Sequence, residues 1–526
     1  MSGEINHGSV LALDAEIVRL KRTRNSLLNI ARIPPEILGH IFHFNITEVG
    51  DPHFGGVPKG AYNFLLVCHH WSQVALRTPA LWTSWGNNLE DWKRWYLRSG
   101  ISALDLILDG QIRQGDDFDE ALRDALRDRV ARDVIRKVHL RGEDTRFLTP
   151  IVSSLIPEGE DVRPSSIESI VLSGGVDISD LFTRYRFPKL RNLHLSGHFK
   201  ISSWDHLKSA TTALTSLSLD FYGVFPSSAI PTTSQILSLL TSNPGLRSLA
   251  LDSPLIDDDS RYGPRLRVPL HHLERISLMG SFHHVFPVLR QLEFPERMDC
   301  GEIMLDNCTP QEVLEDVGPY IRDYLRRDPR FRDRLGMFLR SRTHFFLICA
   351  SVVGDGHRGL DRLPQNGPPY GRFSVGLSRM MSHEVVEKLC VDILAFLPQE
   401  SIVGLDTNLP VTEVIVGMPN LKALYLTYPV ASGFLLPDPN GPNAHKKLPS
   451  LRRLYLEDAE AVDDDWDPLV TFLAHQTSGD QAVSLELFGQ GVHLCSEVIE
   501  QIEGLVEELV YEPDLEVECP FDTKCS

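Results

Sequence analysis

Apolar residues along the chain fall into two helical stretches and one long series with a different rhythm. In the first stretch Val10, Leu13, Ile17, Leu20 and Leu27 recur at three- and four-residue intervals and predict an amphipathic helix over 8–30. Arg24 interrupts that stripe, so the expectation is a helix docked on its own protein, with a dimerisation helix as the alternative. In the second stretch Pro34 and Pro35 can open a helix, because first-turn residues need no backbone donor. Ile37, Leu38, Ile41 and Phe42 follow as one stripe, then a Gly/Pro-rich loop over 45–60. Phe64, Val67, Cys68, Trp71, Val74 and Ala75 predict a second helix that Thr78-Pro79 stops, and Leu81-Trp82 begin another short segment. Ile33, Ile37, Ile41, Phe42, Trp71, Leu81 and Trp82 are too many large apolar groups for one small core. Some of them need cover from elsewhere, which is the mark of a binding face.

The third pattern is apolar-x-x-apolar-x-apolar. It starts at 135, 167, 190, 214, 246 and 273, so 23 to 32 residues separate successive copies, and it returns at 421 and 451. Weaker copies start at 300, 386 and 482. The last two apolar residues of each copy point to one side of a strand and the residue between them to the other. The spacing matches a degenerate leucine-rich repeat, in which only stacking of neighbours buries the apolar edge. Over 316–342 the reading is helical, with arginines at 322–342 expected to pair with the interleaved Asp323, Asp328 and Asp333 and a phosphate or acidic-peptide site as the alternative. Residues 372–394 predict a strand and then a helix.

The outward strand positions of such a repeat line an open face. By register the substrate-face candidates are His194, Ser218, Asp220, Asp252, Tyr425, Tyr455 and Glu457, with Asn192, Ser216, Arg275 and Ser277 beside them. Tyr425 and Tyr455 fall at the same place in consecutive copies, and tyrosine gives large contact area with few rotors. The alternative is that these two rings pack against inserted loops.

Composition narrows the role. Over 526 residues, 52 basic and 71 acidic side chains give a net charge of −19, which argues against a general nucleic-acid or anionic-membrane binder. The acidic runs at 457–467 and 507–518 read as solvated faces or tails, with a recognition patch for a basic partner as the alternative. The eight cysteines show no C-x-x-C and no Cys/His spacing for zinc, so reduced thiols in a cytoplasmic or nuclear protein are expected. There is no signal-peptide pattern and no apolar run long enough to span a membrane. Phosphate-loop, dinucleotide, nucleophile-elbow and zinc-protease motifs are absent, and the adjacent His pairs at 69–70, 271–272 and 283–284 lack a third ligand at helical spacing. The expectation is a protein with no catalytic residues, no metal and no cofactor.

The segments I33-P-P-E-I-L-x-x-I-F42, F64-L-L-V-C-x-x-W71 and T78-P-A-L-W82, in that order, resemble an F-box. Ile33 stands where that family usually has Leu, and the 45–60 insert lengthens its first loop. The resemblance implies a three-helix module that docks on a Skp1-type adaptor and, through it, on a cullin. It also implies that Pro34, Glu36, Ile37, Leu38, Phe42, Val67, Cys68, Trp71 and Trp82 lie in or support that interface. Fungal F-box-like proteins run on similarly, through a helix ending in R-S-G (here 98–100) into a strand. The expected architecture is α/β: a small three-helix F-box-like module followed by an irregular leucine-rich-repeat-like solenoid. The expected boundaries are an N-terminal helix at 1–30, the module at 31–84, a connecting helix and first strand at 85–130, repeats at 131–495 and an acidic tail at 496–526. The function expected from the resemblance is substrate recognition in a ubiquitin ligase, by holding a target protein near the transfer machinery. A repeat scaffold unconnected with ubiquitination is the alternative.

Overall fold

The strands form where the alternation places them, because each Leu-x-Leu pair turns two side chains to one side and leaves polar residues on the other. The computed structural model describes residues 7–48, 62–85, 97–100, 102–109, 120–131, 133–142, 145–156, 163–221, 230–252, 267–295, 298–327, 335–342, 345–352, 372–378, 388, 391–392, 394–395, 402–407, 415, 418–427, 448–457, 466–477, 483–489, 494 and 496–513. The protein is mixed α/β with a largely parallel sheet, and it divides into two units, Met1–Leu246 and Arg247–Ser526.

In the first unit, Ser84–Trp85, Leu104–Asp109, Ile135–Arg141, Ser169–Ser173, Asn192–Ser196 and Ser216–Asp220 pair in parallel, in chain order. Leu106, Leu108, Val138, Leu140, Ile170, Leu172, Leu193, Leu195, Leu217 and Leu219 point inward and are buried. Short helices between the strands return the chain, as parallel pairing requires. One of them, Thr233–Thr241, begins with a capping box: the Thr232 hydroxyl accepts from Gln235 N, and the Gln235 side chain accepts from Thr232 N. Past its end, buried Asn243 ties two turns together. Its Nδ2 donates to Leu239 O at 2.9 Å and Thr211 O at 3.3 Å, and its Oδ1 accepts from Leu214 N at 3.1 Å.

Each turn after the strands ending at Arg141, Ser173 and Ser196 carries a glycine. The amides of Gly142, Gly174 and Gly197 donate to the carbonyls of Ser173, Ser196 and Asp220 on the next strand. Gly174 has φ +130°, and a Cβ there would fall 1.7 Å from the Gly142 carbonyl oxygen, so no other residue fits.

In the second unit, Ser248–Asp252, Arg275–Ser281 and Cys300–Asp306 pair in parallel in chain order. The next parallel neighbour of Cys300–Asp306 is Arg372–Ser378. An antiparallel hairpin, Leu335–Arg342 with Phe345–Val352, joins on through Phe345–Val352, which runs antiparallel to Arg372–Ser378. Leu335–Arg342 then pairs in parallel with Ile402–Thr407, and Ala423–Thr427, Arg453–Glu457, Ser484–Gly489 and Glu508–Pro513 continue in parallel.

Several expectations change here. The helix expected over 8–30 spans His7–Ser26, and among the described residues it shows no docking: residues 10–30 are exposed, save the half-buried Asn25. Of the helix predicted over 316–342, Gly318–Arg327 is helical, residues 328–334 lie outside the described residues, and Leu335–Arg342 is a strand, because two neighbouring strands pair with it and outweigh its helical composition. In the weak copy at 386 the described residues 388 and 391 are helical, as the strand-then-helix reading of 372–394 has it. The acidic tail assigned from 496 contains a helix, Ser496–Glu503, and the strand Glu508–Pro513. Charge hid that strand; ladder bonds to Ser484–Gly489 form whatever the outward side chains are.

Candidate functional site

Residues 33–48 and 62–83 form a small helical module with its own core. Its elements are the helices Pro35–Glu48, Phe64–Val67 and His69–Leu76 and the 3-10 turn Pro79–Trp82. The single helix expected from Phe64 onward breaks at Cys68, whose backbone is extended and whose Sγ accepts the Trp71 amide at 3.5 Å. Leu38, Phe42, Ile46, Phe64, Val74, Ala75, Leu81 and Trp82 are buried together. Phe42 stacks on Phe64 with centroids 4.3 Å apart, and Tyr62 lies parallel to Trp82 at 5.4 Å. Burial pushes the Tyr62 hydroxyl up to about 12. Trp82 Nε1 donates to Ala75 O at 2.9 Å, and the Arg98 guanidinium sits 4.5 Å above its ring.

The first helix is apolar on two sides. Leu38, Phe42 and Ile46 face the core, while Ile37, Ile41 and Phe44 are 51%, 46% and 59% exposed. The short helix adds Leu66 and Val67, 84% and 56% exposed. Covering such side chains is worth on the order of 1–2 kcal/mol each, so Ile37, Ile41, Leu66 and Val67 in one module represent a large driving force for association.

This divides the interface residues expected from the sequence. Pro34, Glu36, Ile37 and Val67 are exposed and available to a partner. Cys68 and Trp71 are half-buried. Leu38, Phe42 and Trp82 are core, 0–2% exposed, and can act only by shaping the module. Ile41 had been read only as an apolar residue in excess of the core; Phe44 and Leu66 were missed, although Phe44 continues the 37–41 spacing.

The second candidate surface is the outward side of the strands. In the first unit the register gives three rows. They are Asp105, Lys137, Ser169, Asn192 and Ser216; then Ile107, His139, Val171, His194 and Ser218; then Asp109, Arg141, Ser173, Ser196 and Asp220. His194 and Ser218 are therefore cross-strand partners, and Asp220 lies in the next row. Asp105, buried, accepts two bonds from Arg136 at 3.0 and 2.9 Å and lies 3.4 Å from Lys137 Nζ. His139 Nε2 and Ser169 Oγ are 2.8 Å apart. Burial pushes the His139 imidazole down to about 4, Lys137 and His194 lower it further, and Asp105 opposes them. His139 and Lys137 were missed by the sequence reading, although the same parity that picked His194 marks them.

In the second unit Tyr425 and Tyr455 are cross-strand partners, and their rings stack with centroids 3.8 Å apart and planes 4° from parallel. Tyr455 is 5% exposed, so it is not the open contact residue that the register suggested. Glu486 follows it in the same row. Glu457 pairs with Thr427 and Phe488; its side chain lies outside the described residues. Asp252 is on a separate row, opposite Met279, and burial and the charge of Asp306 raise its carboxyl. The seven face residues are thus split, three in the first unit and four in the second. Among the described residues no three His, Cys, Asp or Glu side chains are grouped to hold a metal ion.

Neither a protein-family model nor a curated protein sequence matches this chain.

Proposed function

We propose that the chain is a substrate-recognition adaptor of F-box type. The module at 33–83 docks on a Skp1-type partner, and the repeats, a degenerate leucine-rich array, hold a target protein. The supporting observation is the exposed pair Ile37 and Ile41 on a helix whose other apolar stripe already fills a closed core. A helical cap for the following sheet would have no use for that second stripe. The motif order across 33–82 supports the same reading and names the partner. The chain contributes no reacting group in this scheme; it raises the effective concentration of the target at the ubiquitin-charged enzyme.

The test is co-purification of the full chain with a Skp1-type adaptor, alone and as the variant Ile37→Asp/Ile41→Asp/Val67→Asp. Binding by the parent, lost in a variant with unchanged circular dichroism, is the expected outcome. No complex with the parent would leave the repeats as a scaffold without a ligase.

A further inference from the structure

The docking module leaves one prominent apolar element unexplained: the helix His7–Ser26, which is exposed over residues 10–26 save the half-buried Asn25. Val10, Leu13, Ile17 and Leu20 are 40–63% exposed. A lone helix of this length is marginal in water and needs a covering surface. These residues carry a heptad signature, with Val10 and Ile17 at a positions and Leu13 and Leu20 at d positions. Beta-branched residues at a with leucine at d suit two parallel strands.

We propose that this helix pairs with the same helix of a second copy of the chain, as a parallel, in-register two-stranded coiled coil. Charge supports that occupant. In this frame Glu16 is at g and Lys21 at the following e, five residues on, so each Glu16 faces the Lys21 of the other copy. The two-fold axis makes the contact twice. Among the described residues Glu16 pairs with Arg19 at 2.7 Å, an exposed pair that is cheap to exchange. Arg24 takes the third a position, where its stem can lie along the seam with its charge in water, and a polar residue at a fixes the register. The antiparallel arrangement that uses the same seam sets Asp14 against Lys21 and leaves Glu16 without a cation. Leu11 and Val18, also exposed, sit at b and stay outside the seam. The inference does not rest on the docking function; a chain that bound no adaptor would still dimerise.

Light scattering of the full chain at tens of micromolar is expected to give about twice the 59.2 kDa of one chain. Leu13→Glu/Leu20→Glu is expected to give the mass of one chain with an unchanged unfolding midpoint, since both side chains are exposed. Glu16→Lys should weaken the dimer about tenfold by opposing like charges twice, and Glu16→Lys/Lys21→Glu should restore it to within about twofold. A one-chain mass for the parent overturns the proposal, as does a dimer that survives Leu13→Glu/Leu20→Glu. A charge exchange that fails to restore the dimer overturns the parallel arrangement, because antiparallel strands would then oppose Lys21→Glu to Asp14.

Discussion

The module at 33–83 and the parallel strands of the first unit use the same kinds of apolar residue to opposite ends. In the strands every inward leucine is covered by the neighbouring strands and helices, and the outward rows are largely polar. In the module eight residues close a core, and four more large apolar side chains, Ile37, Ile41, Leu66 and Val67, stay exposed. Stacking gives each strand a neighbour with a matching apolar edge, so nothing is left over. A three-helix unit has no such neighbour, and its excess points to a partner outside the fold.

The comparison can be broken at its most constrained point first. Gly174→Ala forces a Cβ into the Gly142 carbonyl at a positive φ and should cost the first unit more than ~3 kcal/mol, read as a fall in the denaturant midpoint. In the module Phe42→Ala should cost ~3–4 kcal/mol, because it empties the stack on Phe64. Ile37→Asp on the same helix should leave stability within ~0.5 kcal/mol while removing adaptor binding. Equal losses of stability from the two would erase the distinction between core and bare stripe. Asn243→Ala should cost ~2 kcal/mol by leaving the buried Leu214 amide unpaired; chemical unfolding of the variant measures it.

The smallest effect is on pH dependence. His139 is held neutral to about 4 when folded, whereas an unfolded histidine titrates near 6.5. Between those values the unfolded chain binds more protons, so stability rises with pH through this window and is lost on acidification from 6.5 towards 4. His139→Gln should flatten that part of the stability–pH curve, and an unchanged slope would remove His139 as its source.

Much of the strand pattern was legible because a period of two needs only local residues. Leu190-x-x-Leu193-x-Leu195 announces both the strand and its inward side. Leu335–Arg342 was not legible, because its conformation depends on partners at 345–352 and 402–407. Glu508–Pro513 was hidden by its acids, which say nothing about backbone pairing. In the candidate site the parity rule placed His194 and Ser218 together, yet burial of Tyr455 depends on a ring 30 residues earlier and could not be read off.

The sequence alone therefore determined where the module's helices and most of the strands lie, since periodicity and Pro or Gly stops are properties of neighbouring residues. Only the tertiary structure decided which stripe of Pro35–Glu48 is core and which is bare, and which outward residues are still open. It also decided that the N-terminal helix lies uncovered. Exposure is set by what packs against a residue, and that surface comes from parts of the chain far away in sequence.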